Sequence, residues 1–274
     1  MTPSMKYSTY PILLGAALTL TGCLGGSSNN DDAKNKGASV PANAITITAA
    51  NAEATVASAI AKKGMVSALG TVSVPSLTLG EALELVKKIR KSSSAIPATA
   101  IGVTDTQNCT GGGKVTVTST VSGNTDSGSV KFENCIEEGF TFNGTLSYSD
   151  TYDPSTTVYS ETTSGNLSAT GSDATISFNG FDFAANGNST TAHYTVTKFT
   201  FALDFTANGS AGGGFLVELT APIVESTGDS CPESGAIKIT GANSTTAELI
   251  YNGNGTTTIK ANGVVVKASA ACYA

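Results

Sequence analysis

The sequence predicts a mainly β fold: an antiparallel meander of roughly ten or eleven strands, as a barrel or a sandwich, with two N-terminal helices packed on it. Three observations support this prediction. From about residue 101 onward, apolar and polar side chains alternate with the period of two that is typical of strands. Asn-Gly dipeptides, which tolerate positive φ and close tight hairpins, punctuate this region. Helical spacing of apolar residues is confined to residues 44–100.

Residues 44–100 are the predicted helical segment. A first helix is expected from its cap at Asn51 through Leu69. A second helix is expected after Thr78, whose spacing to Glu81 is that of a capping box. Its last turn carries four basic residues that oppose the negative end of the macrodipole: Lys87, Lys88, Arg90 and Lys91. We expect both helices to pack on the sheet, and a membrane-surface role for the basic helix end is the alternative.

The β region is predicted from alternation and turn residues. Its longest strand runs from Phe199 to Thr206 and places four bulky apolar residues on one face. The two preceding apolar residues, Tyr194 and Val196, are out of phase with this strand, which predicts a bulge near Thr197–Lys198. Similar stretches at Gly144 and Gly165 are expected to begin strands. Turns are expected at Gly123-Asn124, Asn143-Gly144, Asn179-Gly180, Asn186-Gly187, Asn208-Gly209, Asn252-Gly253 and Asn262-Gly263.

The composition is that of an extracytoplasmic β protein. Charged residues make up 13% of the chain, and the chain has 30 Gly, no Trp and one His. Ser, Thr and Asn supply most of the polar surface, which suits a β-rich exported protein more than a cytosolic enzyme. Residues 44–100 have a net charge of +3, whereas residues 101–274, with six Lys and sixteen Asp and Glu, have −10. The acidic main body argues against nucleic acid as a partner, because Lys and Arg bind phosphates.

The N-terminus reads as an export signal that ends in Leu20-Thr21-Gly22-Cys23. A basic opening at Met5-Lys6 precedes an apolar run that is too short to cross a bilayer. The pattern resembles the lipobox of bacterial lipoproteins, which implies cleavage before Cys23 and lipidation of its thiol. Several acyl chains would then hold the protein stably in a membrane. Leu24, where Asp usually signals inner-membrane retention, implies the outer membrane by the same resemblance, on its periplasmic or its extracellular side. The alternative is an ordinary secretory signal.

These features predict four segments: a signal peptide at 1–22, a lipidated flexible tether at 23–43, the helical segment at 44–100 and a disulfide-closed antiparallel β domain at 101–274. Residues 24–43 carry almost no large apolar side chain and so cannot fold alone. A flexible chain of this length spans roughly 25 Å. The stretch that begins at Ile45, ahead of a cysteine-bearing β region, is also similar to other β-rich bacterial lipoproteins, a resemblance that implies no activity.

Four cysteines remain once Cys23 is assigned to lipid: Cys109, Cys135, Cys231 and Cys272. Four cysteines in an exported chain suggest two disulfides, with three possible connectivities. Internal similarity favours one of them, because the stretch after Cys109 matches the stretch after Cys231 position by position. Each match is followed by strand-like sequence and then by a second cysteine. We therefore expect Cys109 to pair with Cys135, and Cys231 with Cys272.

The sequence offers only weak candidates for catalytic or metal-binding residues. His193 is the only histidine, and because Gly-x-Ser-x-Gly and Ser-x-x-Lys are absent we interpret it as a surface or strand residue. Asp150, Asp153 and Glu161 lie near three tyrosines, a combination typical of glycan-handling or calcium sites. Their spacing matches no known signature, and Asp153-Pro154 equally predicts a turn, which is the preferred interpretation. The tyrosines are Tyr148, Tyr152 and Tyr159.

Two glycine-rich stretches, Gly111–Gly113 and Gly212–Gly214, precede strands and no helix, so we interpret them as hinges or bulges and not as phosphate cradles. No catalytic residue, metal or other cofactor is predicted. The first functional hypothesis is a non-enzymatic outer-membrane lipoprotein whose β domain is a structural module or binds an envelope protein or glycan. The alternative is a carrier or chaperone of an apolar ligand such as a lipid. A large apolar concavity would favour the carrier, and a sealed core with an exposed apolar edge the binding module.

Overall fold

The computed structural model of the chain describes residues 37–60 and 102–272, apart from positions 138, 173, 192, 208–209 and 227–230. These residues form one helix, α1 (Ala52–Ile60), a short 3₁₀ turn (Ala242–Ser244) and one antiparallel sheet of twelve strands. Every strand lies beside its predecessor in the chain, as predicted for a meander. The strands are β1 (Val103–Asn108), β2 (Lys114–Ser122), β3 (Thr125–Glu137), β4 (Phe140–Asp153), β5 (Val158–Thr170), β6 (Ala174–Asn188), β7 (His193–Ala207), β8 (Ser210–Ser226), β9 (Ser234–Thr240), β10 (Thr246–Tyr251), β11 (Thr256–Ala261) and β12 (Val264–Ala271).

The sheet has more strands than the sequence predicts, and it is not closed. β1 and β12 are its edges, and the described residues of these two strands do not pair with each other. β1 was missed because its alternation involves polar residues and lacks bulky apolar ones. Of the two predicted helices, only α1 lies within the described residues, where it begins directly after Asn51 as expected. The predicted extension to Leu69 and the second helix lie outside them.

The core lies on one face of the sheet, here called the inner face. Because a single cluster of buried side chains joins ten of the twelve strands, the sheet must curve around this face. α1 adds Ala52, Val56 and Ala59 to the same cluster and contacts β9, β10 and β11. Representative buried residues from β2 to β11 are Val115, Val130, Leu146, Leu167, Phe178, Phe201, Val217, Ile237, Leu249 and Ile259.

The segment before α1 fastens the helix to the sheet. Ile47 is fully buried, its N–H donates to the hydroxyl of Thr245 at 2.9 Å, and its carbonyl accepts from the Asn262 amide at 3.2 Å. Thr245 and Asn262 lie in the β9–β10 and β11–β12 turns. We call this end of the sheet the helix end. In an antiparallel meander the β4–β5, β6–β7 and β10–β11 turns lie at the opposite end. None of the helices in the described part of the chain is long and apolar enough to span a membrane.

The Asn-Gly prediction was right at hairpins and wrong inside long strands. Gly123-Asn124, Asn252-Gly253 and Asn262-Gly263 connect consecutive strands as expected. Asn143-Gly144, Asn179-Gly180 and Asn186-Gly187 lie within β4 and β6 instead. The predicted strand starts at Gly144 and Gly165 are also interior positions. A Cβ on Gly144 would lie 2.3 Å from the Asn166 carbonyl oxygen, and one on Gly165 would lie 2.1 Å from that of Thr145, so glycine permits a close approach of β4 and β5.

The bulge predicted near Thr197–Lys198 is confirmed. The pairing of β6 with β7 steps from Ala184–Lys198 to Ala185–Val196, which leaves Thr197 without a register partner on β6. Because of this extra residue, both Tyr194–Val196 and Phe201–Phe205 direct their apolar side chains to the inner face.

Candidate functional site

Three carboxylates lie side by side on the inner face, at the end of the sheet opposite α1. Asp126 on β3 is the register partner of Asp150 on β4, and Asp150 is the register partner of Glu161 on β5. We call these three residues the carboxylate file and their end of the sheet the acidic end. Glu161 is only 3% exposed, and both carboxylate oxygens of Asp150 are buried. Like charges directly opposite each other on neighbouring strands destabilise a sheet, so this arrangement needs compensation.

Tyr194 on β7 supports the carboxylate of Glu161. Its buried hydroxyl donates to Oε1 of Glu161 at 2.5 Å. The ring of Tyr159 stacks on that of Tyr194 with centroids 6.2 Å apart. Burial, followed by the charge of Glu161 and this hydrogen bond, raises the pKa of Tyr194 far above its ordinary value. The phenol therefore stays protonated as a hydrogen-bond donor.

A second acidic group extends the site toward β11. Glu225 on β8 is the register partner of Tyr194, and it is also buried. The pKa of Tyr251 on β10 is raised by burial and, to a smaller degree, by the charge of Glu225. Thr257 on β11 faces Tyr251 and is fully buried. Neither the hydroxyl of Thr257 nor that of Thr163, next to Glu161 on the same face of β5, has a hydrogen-bond partner among the described residues.

His193 meets a serine and a carboxylate at the rim of the acidic end. The hydroxyl of Ser226 lies 3.1 Å from Nδ1 of His193 and donates a hydrogen bond to Glu233. The Glu233 carboxylate lies 3.9 Å from the same Nδ1. In a Ser-His-acid triad the serine and the acid sit on opposite ring nitrogens, and the serine proton goes to the histidine. Here both groups adjoin Nδ1 and the serine proton goes to the acid, so the arrangement is a surface polar cluster.

Asp153, which the sequence places with Asp150 and Glu161, belongs to the β4–β5 turn. Its carboxylate accepts hydrogen bonds from the Ser155 hydroxyl, the Ser155 N–H and the Thr156 hydroxyl at 2.6, 2.8 and 2.9 Å. These bonds, with the Ser155 hydroxyl first, lower the pKa of Asp153 to about 2. Tyr152, two positions beyond Asp150 on β4, is exposed. The turn interpretation therefore holds for Asp153, while Asp150 and Glu161 are brought together.

The two glycine-rich stretches have a structural role in the backbone. Gly111–Gly113 forms the β1–β2 connection, where a Cβ on Gly113 would lie 1.8 Å from the carbonyl oxygen of Asn134. The sequence places Gly212–Gly214 before a strand, but the stretch lies inside β8, and Gly213 and Gly214 pair with β7. Neither stretch precedes a helix, so neither offers the amide nest of a phosphate site.

The structure pairs Cys109 with Cys135 and Cys231 with Cys272, the connectivity that the internal similarity predicts. The Cα atoms are 5.4 and 5.7 Å apart. The Cys109–Cys135 disulfide lies at the helix end, and the Cys231–Cys272 disulfide lies at the acidic end. Glu137 also lies near Cys109 and Cys135, but paired sulfurs offer no thiolate to a metal. Cys23 lies outside the described residues, and its lipidation stays a prediction.

Comparison with protein-family models, with curated proteins and with solved structures finds no match. The site is therefore interpreted from its own geometry. Sequence reasoning found Asp150 and Glu161 but missed Asp126, Tyr194 and Glu225. For Tyr194 and Glu225 a usable signal was present, since each stands two positions from an inner-face residue and is thus in phase with the apolar alternation.

Proposed function

We propose that this chain is a non-enzymatic lipoprotein, anchored in the outer membrane, whose β domain serves as a structural or partner-binding module. The observation that carries the proposal is an apolar edge strand beside a filled core. Val264 and Val265 on β12 are 68% and 50% exposed. Among the described residues β12 pairs only with β11, and none of their strands lies along its other edge. Such an edge has unpaired N–H and C=O groups that can accept an extended segment of a partner.

The packing of the inner face favours the binding module over the lipid carrier. Five phenylalanines are at most 2% exposed. Three of them, Phe178, Phe181 and Phe201, form ring contacts that a carrier's empty cavity would not allow. Phe201, for example, lies against Phe178 and Phe199 with ring centroids 6.0 and 5.3 Å apart. The phenylalanines are Phe178, Phe181, Phe183, Phe201 and Phe215.

The membrane anchor is supported by the lipobox resemblance and by the two disulfides, which form and persist in oxidising compartments. Its test is mass spectrometry of the N-terminal peptide of the mature protein, together with membrane fractionation. We expect an acylated Cys23 as the first residue and a protein that stays with outer-membrane fractions. The Cys23→Ser variant should leave the membrane. An unmodified Cys23, or a Cys23→Ser variant that stays membrane-bound, would contradict the anchor.

The binding role is tested by a photo-crosslinking amino acid placed at Val264 in intact cells. The matched control carries it at Thr162, an exposed position on β5 outside the apolar edge. We expect a discrete adduct with an envelope protein or glycan from position 264 and none from position 162. Equal or absent labelling at both positions would remove the edge-strand proposal. Native mass spectrometry of the same protein distinguishes the carrier, which would retain a stoichiometric apolar ligand.

A further inference from the structure

We propose that the β10–β11 turn is a site of spontaneous chemical modification, in which Asn252 and Asn254 lose their side-chain amides and become aspartate or isoaspartate. The turn reads Asn252-Gly253-Asn254-Gly255, which is two consecutive Asn-Gly pairs. This proposal goes beyond the function proposed above and depends neither on the membrane anchor nor on the binding role of β12.

The reaction takes place between neighbouring residues and consumes only water. The backbone nitrogen of the glycine attacks Cγ of the preceding asparagine, the new nitrogen–carbon bond forms, and ammonia leaves with the proton of the glycine N–H. A five-membered succinimide ring remains. Water then opens this ring at one of its two carbonyls, which gives aspartate or isoaspartate. Glycine favours the attack because it has no Cβ and its backbone is conformationally permissive.

The backbone of the turn leaves both glycine nitrogens accessible. All four residues of the turn are exposed. The turn is closed by the N–H of Asn252, which donates to the carbonyl of Thr256 at 3.0 Å. Within the described part of the chain, the N–H groups of Gly253 and Gly255 donate no hydrogen bond. Attack by either nitrogen therefore breaks no backbone hydrogen bond of the described chain.

The two asparagine side chains are held only by exposed groups. The amide of Asn252 donates to the hydroxyls of Thr256 and Thr258 at 3.1 and 3.2 Å. The Oδ1 atom of Asn254 accepts from the N–H and the hydroxyl of Thr256 at 3.2 and 2.5 Å. All of these contacts are exposed, and exposed hydrogen bonds in a turn open at low free-energy cost. Both side chains can therefore rotate toward the glycine nitrogen.

The Asn-Gly pairs inside strands are restrained. Gly144 in β4 and Gly187 in β6 each pair with a neighbouring strand on both sides. The N–H of Gly180 donates to Oδ1 of Asn166 at 2.7 Å. Closure of a succinimide ring at these positions requires local opening of the sheet, and core strands open at a higher free-energy cost than turns do.

The pair at Asn262-Gly263 is the informative comparison, because it is also exposed and also forms a turn. Its asparagine side chain is held at both ends. The Oδ1 atom of Asn262 accepts from the N–H of Thr246 at 2.7 Å, and its amide nitrogen donates to the carbonyl of Ile47 at 3.2 Å. Rotation of this side chain would release the segment before α1. An exposed Asn-Gly turn is therefore not sufficient, and the β10–β11 turn is distinguished by its lack of such restraints.

Modification would make the acidic end more negative. Each new carboxylate adds one negative charge at neutral pH. The turn lies against the segment before β9, since a Cβ on Gly253 would lie 2.6 Å from the carbonyl oxygen of Glu233. The added charges therefore lie at the end of the sheet that already carries Glu225 and Glu233.

Peptide mapping by mass spectrometry tests the proposal on the mature chain, aged in mildly alkaline buffer. The reference is the same chain denatured with its disulfides reduced, in which all Asn-Gly pairs should convert at similar rates. In the folded chain we expect the turn pairs to convert within about threefold of the denatured rate, and the pairs in β4, in β6 and at Asn262 at least about tenfold more slowly. Equal slowing of both groups, or a folded turn that does not convert, would overturn the proposal.

Substitution by glutamine assigns the modification to the turn, because glutamine must close a six-membered ring and does so far more slowly. All variants carry Asn208→Gln, since the pair at Asn208 lies outside the described residues. Addition of Asn252→Gln and Asn254→Gln should abolish most of the acidic forms that ion-exchange chromatography separates from the aged folded protein. The matched control Asn186→Gln, inside β6, should leave them unchanged. Acidic forms that persist when both turn asparagines are replaced would overturn the proposal.

Discussion

The hydrogen bond from Tyr194 to Glu161 joins two buried residues, and its removal should have a measurable effect. Tyr194 is 7% exposed and donates to Oε1 of Glu161 at 2.5 Å. Tyr194→Phe keeps the ring and its stacking on Tyr159 but removes the donor. Hydrogen bonds to charged groups contribute about 1.5–3 kcal/mol. We expect the free energy of unfolding to fall by about that amount.

Urea unfolding with the disulfides intact, followed by circular dichroism, measures this change. The matched control is Tyr159→Phe, which removes a hydroxyl from the half-buried stacking partner and should change the free energy of unfolding by about 0.5 kcal/mol or less. In a Glu161→Gln background the Tyr194→Phe substitution should have a smaller effect, which a double-mutant cycle detects. If Tyr194→Phe destabilises no more than Tyr159→Phe, the hydrogen bond does not stabilise the fold.

The same pair gives a pH dependence with a definite sign. Burial, and then Glu161, raises the pKa of Tyr194 above its unfolded value. The native state therefore holds its proton at pH values where the unfolded chain releases it. This contribution to stability is complete below pH about 10 and is lost above it, at about 1.4 kcal/mol per pH unit. The Tyr194→Phe variant does not undergo this loss. The difference in free energy of unfolding between the wild type and the variant should therefore shrink from pH 10 to 11. A difference that stays constant would refute the reasoning.

Three further predictions concern stability, each measured by urea unfolding. Joint replacement of Cys231 and Cys272 by Ala should lower the free energy of unfolding by about 4 kcal/mol in the chain-entropy model, because the bond closes a separation of 41 residues; a loss under about 1 kcal/mol would contradict it. Gly123→Ala, with φ at +60° and open space, should lower it by about 1–2 kcal/mol. Gly144→Ala should lower the free energy of unfolding by more than Gly123→Ala does, because its Cβ meets a carbonyl oxygen. Equal losses in the two variants would show that the strands move apart. Phe201→Ala should lower it by about 3–5 kcal/mol, and a loss under about 1 kcal/mol would mean that its site is not packed as described.

Local patterns predicted the strands well because one face of the sheet is buried. The alternation around Phe201 and the bulge at Thr197 followed from period and phase alone. β1 was missed because an edge strand without bulky apolar residues leaves no such signal. The turn prediction at Asn143-Gly144 was wrong for a different reason. Positive φ suits a hairpin turn and a close approach of two backbones equally, and only the neighbouring strand decides between them.

The pair at the centre of the candidate site was within reach of the sequence. The β4–β5 hairpin turns between Asp153 and Val158, which are themselves register partners. Asp150 and Glu161 lie three residues before and after that pair, so the hairpin places them opposite each other. Asp153 stands an odd number of positions from Asp150, and it therefore points to the other face. The turn that argued against a site at Asp153 thus fixes the register that places Asp150 opposite Glu161.

Asp126 was beyond the reach of sequence reasoning because a bulge decides its position. The β3–β4 pairing starts in one register at Glu137–Phe140 and shifts by one residue between Cys135 and Phe132. Without that shift Asp126 would lie opposite Thr151, on the other face of β4 from Asp150. A shift of one residue moves each side chain to the other face of the sheet relative to its partner strand. No local pattern in β3 predicts this shift. The third carboxylate of the file is therefore a consequence of the irregularity around Asn134, which adopts φ of 50° beside the Cys109–Cys135 disulfide.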